Sequence, residues 1–285
     1  KKIKFYNSID ELYDISERYD VFVCGSDQIW NPAFYGKNHP VHFLRFADDK
    51  KRIAYAPSIG LPEIPQEYRE TFVEYINDFN SLSVREKTGS KIIKDLCSRE
   101  AKVVLDPTIL AGSEFWNNLL KPTYKTPFKK YIFCYIFSNT KKYSDFLKTV
   151  QTKTNLPIVY VNVSNLHYDN TKAFCVKDKG PIEFLQLLKK AEFVVTDSFH
   201  GTAFSLLFNK DFYVLKRECE RETIDMFSRI ESMLEITGLE ERFYSLDDEF
   251  ELKERIDYAP VNEKIEVLRK DSNDYLHDAI LGEKN

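Results

Sequence analysis

One stretch constrains the fold of this chain more than any other: Ala191-Glu-Phe-Val-Val-Thr-Asp-Ser-Phe-His-Gly-Thr-Ala-Phe-Ser-Leu-Leu-Phe208. Phe193 to Thr196 is a short apolar run with the β-branched content of a buried parallel strand. It breaks at Asp197-Ser198-Phe199-His200-Gly201, and a helix-favouring run follows from Thr202 to Phe208. A strand, a polar turn containing glycine and a helix start are the parts from which α/β proteins build anion sites. The first helical N–H groups have no intrahelical acceptor, and they lie at the positive end of the helix dipole. His200 adds a titratable group to such a cradle. Taken alone, the turn has a second reading, in which His200 caps the helix and Asp197 only stitches the turn.

The rest of the chain alternates in the same way. Val21 to Cys24 reads as a buried strand that ends at Gly25-Ser-Asp-Gln-Ile-Trp-Asn-Pro32. Ser26, Asp27, Gln28 and Asn31 make a dense polar group where α/β sheets bind ligands. The competing reading is an Asx-type turn with Trp30 as a packing plug. Further strands are expected at Arg52–Ala56, Ser81–Glu86, Lys102–Asp106, Tyr131–Phe137, Pro157–Val163 and Phe212–Leu215. Helices are expected at Gln66–Phe79, Lys87–Cys97, Lys141–Lys153, from Pro181, Thr223–Thr237 and Asn262–Leu281. A capping-box pattern at Ser8–Glu11 predicts a short helix before them. Strands alternating with helices imply βαβ units and mainly parallel sheets, with Arg85 and Asp106 at strand ends. An ion pair is the alternative reading for Arg85.

Lys121 to Lys130 carries two prolines and four lysines without periodicity, and reads as a linker. The expected organisation is therefore a first domain over 1–120, a linker over 121–130 and a second domain over 131–260. A C-terminal helix over 261–285 is expected to pack back on the first domain. A charge run from Lys216 to Glu222 reads as a solvated loop. With 41 basic against 45 acidic residues the net charge is −4, which argues against nucleic acid as a partner. The five cysteines (24, 97, 134, 175 and 219) form no C-x-x-C pair, and read as reduced thiols in a reducing compartment. His39 and His42 read as loop residues, and no metal site is expected. No apolar run approaches a membrane span, and no signal-peptide pattern is visible. A cytoplasmic location is the expectation.

Two segments together resemble a known family. Asp20-Val-Phe-Val-Cys-Gly-Ser-Asp-Gln-Ile-Trp-Asn-Pro32 and Thr196-Asp-Ser-Phe-His-Gly-Thr-Ala-Phe-Ser205 resemble two signatures of the polysaccharide pyruvyl transferases. Ala54–Gly60, Ser83-Val-Arg-Glu86 and Leu105-Asp-Pro-Thr108 fit between them in the family's order. The resemblance runs from about Tyr19 to Phe243. It implies a GT-B-like α/β fold, with two Rossmann-like domains whose parallel sheets face a cleft. It also implies transfer of the enolpyruvyl group of phosphoenolpyruvate onto a sugar of a surface polysaccharide or its lipid-linked precursor, with release of phosphate. A lipid-linked acceptor implies peripheral contact with the inner face of the membrane.

Two departures carry expectations of their own. Family members usually open with a strand and an Asn-Tyr-Gly-type loop, which nothing before Asp20 matches, so the first domain is expected to be incomplete at its N-terminus. Other branches carry arginine two residues before the histidine, where this chain has Ser198.

The expected site follows from these residues. His200 is the general acid or base, since an unperturbed imidazole titrates at about 6.5, and Asp27 assists it or orients acceptor hydroxyls. Arg85 matches the family arginine and is the first-domain cation for the donor. Ser26, Gln28, Asn31, Asp197 and Ser198 line the site, with the helix start at Gly201-Thr202 as anion donor. Lys216 or Arg229 would supply a second-domain cation in place of Ser198. No cofactor is implied beyond phosphoenolpyruvate as donor. Two other readings remain open on the sequence: a GT-B glycosyltransferase using a nucleotide sugar, and a non-catalytic glycan- or anion-binding descendant.

Overall fold

Parallel strands with helical crossovers build both halves of the chain. A computed structural model describes residues 6, 8–34, 39–47, 52–120, 124–138, 140–163, 168, 172–177, 179–217 and 227–282. These fall into two units: the described parts of Lys1–Leu110, Arg221–Met233 and Glu266–Asn285, and those of Ala111–Glu220 and Leu234–Ile265.

In the first unit β1 (Phe22–Cys24) pairs in parallel with β2 (Arg52–Ala54), and β3 (Ser83–Val84) with β4 (Lys102–Val103). A parallel bridge from Ile53 to Ser81 joins the two ladders. Two short helices, α1 (Tyr13–Ser16) and α2 (His39–His42), precede β2. The expected short helix begins as a 3-10 turn at Asp10–Leu12, whose N-cap is Ile9 and not Ser8. His39 and His42, expected in a loop, occupy the helical turn α2. The longer helices α3 (Gln66–Asn77) and α4 (Lys87–Cys97) and the single turn α5 (Pro107–Leu110) follow. Apolar residues of α3 at i and i+4, Phe72 and Ile76, are buried with Trp30, Phe43 and Phe79. Trp30 stacks on Phe43 at 5.4 Å between ring centroids, with Phe72 and Phe79 edge-on. Trp30 is the packing plug of the Gly25–Pro32 segment.

The second unit begins with α6 (Gly112–Leu119), whose Trp116 meets Phe204 edge-on at 5.1 Å and whose Asn117 accepts from Lys189. These contacts lie within the second unit, which takes in the chain from Ala111. β5 (Ile132–Ile136), α7 (Lys141–Thr154) and β6 (Ile158–Asn162) follow near their expected bounds. Next come β7 (Ala173–Val176), α8 (Pro181–Lys190), β8 (Phe193–Thr196), α9 (Phe199–Leu207), β9 (Asp211–Leu215) and β10 (Phe243–Tyr244). The six strands form one parallel sheet in the order β7-β6-β5-β8-β9-β10. Strand order reverses between β5 and β8, and in doubly wound sheets ligands bind at the carboxyl ends beside that reversal.

Two helices close the chain. α10 (Ser228–Thr237) ends at Gly238, whose φ of +75° is the left-handed stop that glycine accommodates. The start of the helix expected from Thr223, through Met226, lies outside the described residues. α11 (Tyr258–Leu281) starts four residues before its expected position. Asp257 accepts the Ala259 N–H, and Pro260 sits in the first turn, where its missing N–H costs no hydrogen bond. The later part of α11 belongs to the first unit: Tyr275 donates to the Ala54 carbonyl, Ser272 accepts the Leu105 N–H, and Asp271 pairs with Lys102 at 2.6 Å. Cys24 and Cys134 are buried free thiols, and burial pushes both thiols up from their ordinary value. Cys219 lies outside the described residues. Among the described residues, no helix is long and apolar enough to cross a membrane.

Candidate active site

The carboxyl ends of β1, β3 and β4 converge on one guanidinium. Arg85, two residues after Ser83, donates from Nη1 to Asp106 Oδ2 at 2.9 Å and from Nη2 to Asp27 Oδ1 at 3.1 Å. Its side chain is 1% exposed, that of Asp106 is 2% exposed and that of Asp27 is 65% exposed. Ser26 donates to Asp106 Oδ2 at 2.7 Å, and the Thr108 N–H to Asp106 Oδ1 at 2.8 Å. The turn needs Asp27 in the left-handed region, φ +72°, a conformation aspartate tolerates better than most side chains. Ser26, Asp27 and Arg85 are therefore brought together. Arg85 already has two carboxylate partners, so it ties three strand ends instead of presenting a free cation.

Asn31 is fully buried, and its Oδ1 accepts the Ala33 N–H at 2.9 Å, which makes it a turn residue. Gln28, with its amide oxygen facing Arg229, accepts from both terminal guanidinium nitrogens at 2.5 and 2.8 Å. Arg229 is itself buried, and it lies with the first unit rather than on the second-domain wall. The expectation that it replaces a second-domain cation is corrected on that ground. The sequence hid the placement because α10 straddles the two units.

Behind this cluster lies Glu86, fully buried, whose Oε1 accepts from Ser58 Oγ and from the N–H groups of Ile59 and Gly60. Burial pushes its carboxyl up from the ordinary 4.5, while Arg85 and the three donors pull the other way. The folded chain then holds this proton more tightly than the unfolded chain. Its contribution to stability is complete below the unfolded pKa and is lost as pH rises through the folded one. Glu86→Gln is expected to flatten that decline in a series of melting curves from pH 4 to 8. An unchanged slope would show that Glu86 is ionised throughout.

In the second unit the opening stretch forms strand, cap and helix. β8 ends at Thr196, and Ser198 is the N-cap of α9, its Oγ accepting the Gly201 N–H at 3.4 Å. The helix starts at Phe199 rather than Thr202, so His200 sits in its first turn, partly exposed, with its ring edge-on to Phe199 at 5.4 Å. The Thr202 N–H and hydroxyl both bond the Ser198 carbonyl. The N–H groups of Gly201 and Thr202, expected as anion donors, are thus used inside the turn.

Gly201 is needed for close approach. A Cβ there would stand 2.3 Å from Thr196 Oγ1 and 3.0 Å from Thr196 Cβ. Thr196 Oγ1 donates to the Tyr135 carbonyl at 2.6 Å and accepts the Ser198 N–H, so it has no easy rotation away. Gly201→Ala is expected to lose about 1–3 kcal/mol in urea unfolding. Combining it with Thr196→Ala should recover part of that loss, and strict additivity of the two changes would rule the clash out.

Asp197 lies buried at the strand-order reversal. Its carboxylate accepts the N–H of Phe137 at 2.8 Å and the N–H and hydroxyl of Ser138 at 3.1 Å, so it ties the loop after β5 to the end of β8. Arg217, two residues past β9, places Nε 3.2 Å from Asp197 Oδ2 and donates from Nη2 to the Asp197 carbonyl at 3.1 Å. Its guanidinium lies 4.8 Å from the centre of the Phe137 ring. Lys216, expected as a cation of the site, has an exposed side chain, and its main chain bonds the Tyr244 carbonyl and the Tyr143 hydroxyl. The sequence reading missed Arg217, which lies in a run of charges. Only the pairing of β9 beside β8 brings it to Asp197.

This strand order and these two α/β units are those of the GT-B fold. UDP-GlcNAc 2-epimerase from Neisseria meningitidis, solved with UDP-GlcNAc, matches with a TM-score of 0.52 at 13% identity, over 95% of this chain and 80% of that one. UDP-GlcNAc 2-epimerase from Methanocaldococcus jannaschii matches with a TM-score of 0.51 at 13% identity, over 92% and 74%. At such identities the likeness is one of fold alone. A search of the curated proteins found no match. The family model for polysaccharide pyruvyl transferase matches residues 1–218, and the chain belongs to that family, which makes it a transferase of polysaccharide biosynthesis.

Proposed function

We propose that this enzyme transfers the enolpyruvyl group of phosphoenolpyruvate onto two hydroxyls of one sugar, in a surface polysaccharide or its lipid-linked precursor. The products are a cyclic pyruvate ketal and inorganic phosphate, and the reaction needs no metal or other cofactor. The methylene carbon takes up a proton, one sugar hydroxyl adds to the neighbouring carbon, and phosphate leaves with the electron pair of its C–O bond. The second hydroxyl closes the ketal. Of the two hydroxyl protons released, one is balanced by the new methyl group and the other by the departing phosphate. His200 moves these protons as general acid and base. Asp27, whose carboxylate is the most open of the first unit's cluster, orients acceptor hydroxyls. A lipid-linked acceptor would be met at the inner membrane face, from the cytoplasm.

One observation carries this reading: in a chain of this family, an imidazole stands on the first turn of the helix that follows the strand beside the order reversal. The test is incubation with phosphoenolpyruvate and a panel of lipid-linked and nitrophenyl glycosides. Phosphate release that depends on the acceptor, and a ketal seen by mass, are expected. A thermal shift with UDP-GlcNAc and none with phosphoenolpyruvate would replace the reading by nucleotide-sugar transfer. Glycan binding without any turnover would leave only a binding protein.

A further inference from the structure

The Arg217 guanidinium is held on one side and open on another. Nε and Nη2 form its lateral edge, and both face Asp197: Nε to Oδ2 at 3.2 Å and Nη2 to the carbonyl at 3.1 Å. The Phe137 ring lies against its plane at 4.8 Å, and such stacking fixes the plane without using an N–H donor. Nη1 has no partner among the described residues, and Nη2 keeps a second hydrogen. The end-on edge, Nη1 with Nη2, is therefore a fork with the spacing of two anion oxygens. The side chain is 18% exposed, so this edge is open while its mount is buried.

The mount is itself over-determined. Asp197 is tied to Phe137 and Ser138 by three hydrogen bonds, and Phe137 is the stacking platform. The same carboxylate thus positions both the cation and the ring beneath it. Arg217 follows β9 and Phe137 follows β5, so they flank the end of β8 from both sides, at the edge where α9 begins and carries His200 in its first turn.

We propose that Arg217 is the donor-binding cation of the second unit, taking two oxygens of a small acid end-on while Asp197 and Phe137 hold its plane. The proposal rests on the pyruvyl-transfer reading for the identity of the acid, phosphoenolpyruvate, which offers both a carboxylate and a phosphate. Binding through the fork neutralises charge on the donor next to the carbon that is attacked. Asp197 then acts as a positioning residue, touching Arg217 and not the donor.

The test compares the full-length wild-type protein with Arg217→Lys and Arg217→Met, measuring KM separately for donor and acceptor. Loss of a charge-assisted pair should raise the donor KM about 10- to 100-fold in Arg217→Met and less in Arg217→Lys, with the acceptor KM unchanged. Lysine keeps a charge against Asp197, which guards against simple loss of folding, and melting curves of all three proteins check this. Inorganic phosphate and pyruvate serve as competing probes. Inhibition by either one that disappears in Arg217→Met supports the proposal, and shows which end of the donor the fork holds. An unchanged donor KM, or an equal rise in both KM values, overturns it. Absence of turnover and of phosphoenolpyruvate binding in the wild-type protein would sink the pyruvyl-transfer reading itself, a result distinct from either of these.

Discussion

Replacing His200 with alanine is expected to lower ketal formation by about 10²- to 10⁴-fold, the usual contribution of a positioned acid–base group. The fold should survive the change. α9 is buried through Phe199, Ala203, Phe204 and Leu206, whereas His200 is partly exposed and not part of that set. The loss of stability should therefore be smaller than at a core position of α9, and melting curves taken beside the rates separate the two effects. Phosphate release from phosphoenolpyruvate, measured with and without acceptor, reads the effect directly. Normal turnover in the variant would remove His200 from the mechanism. A collapse of turnover matched by a collapse of the melting curve would show a packing role instead. His200→Gln keeps a polar side chain without the titrating ring, and it should be as inactive as alanine.

The second large effect is expected at Asp106. Its carboxylate accepts from Arg85, Ser26 and the Thr108 N–H, and both members of the ion pair are almost fully buried. Removing Asp106 takes away the buried carboxylate that faces the buried Arg85 guanidinium, and the Asp27 carboxylate at 3.1 Å is largely exposed. Breaking a buried pair in this way costs about 3–5 kcal/mol, a large part of the stability of an ordinary domain. Asp106→Ala should therefore unfold at markedly lower urea concentration. Replacing both partners is a milder change, because no charge is left unpaired. Arg85→Met with Asp106→Ala should lose less than the sum of the single changes. If the single variant loses under about 1 kcal/mol, Arg85 is hydrated and does not tie the three strand ends. Arg85→Met alone also bears on the donor: a fall in stability with an unchanged donor KM would confine Arg85 to the scaffold.

The parts of the fold that were legible in the sequence carry strong local signals. α4 begins and ends where its pattern does, and β8 matches its apolar run residue for residue. β7 and β10 escaped notice because each is a short edge strand without alternation, and its pairing partner alone makes it a strand. The start of α9 was misplaced for a different reason. Ser198-Phe-His-Gly201 has the composition of a turn, but Ser198 works as an N-cap, so the helix begins immediately after it. The residues of the candidate site were legible by type and strand end. Their partners were not. Arg85 meets Asp27 across 58 positions and Asp106 across 21, and such contacts come from strand order, which no local window contains. Arg217 is the clearest instance: within Lys216–Glu222 it is one charge among several, and only the sheet gives it Asp197 and Phe137 as neighbours.

The passage of α11 from one unit into the other has a consequence for synthesis on the ribosome. The second unit uses two spans of the chain, Ala111–Glu220 and Leu234–Ile265, whereas the first takes further pieces from Arg221–Met233 and from Glu266 onward. Ser272 and Tyr275, which satisfy the Leu105 N–H and the Ala54 carbonyl, emerge about 170 to 220 positions after the strands that need them. The N-terminal half is therefore translated first and completed last. Until α11 arrives, the cluster of Tyr55, Ala56 and Val104 lacks Tyr275 and Leu276, which pack against it. Folding of the first unit therefore runs against the order of synthesis: its strands wait for α11, and a chain truncated before residue 266 would lack the groups that satisfy the Leu105 N–H and bond the Ala54 carbonyl.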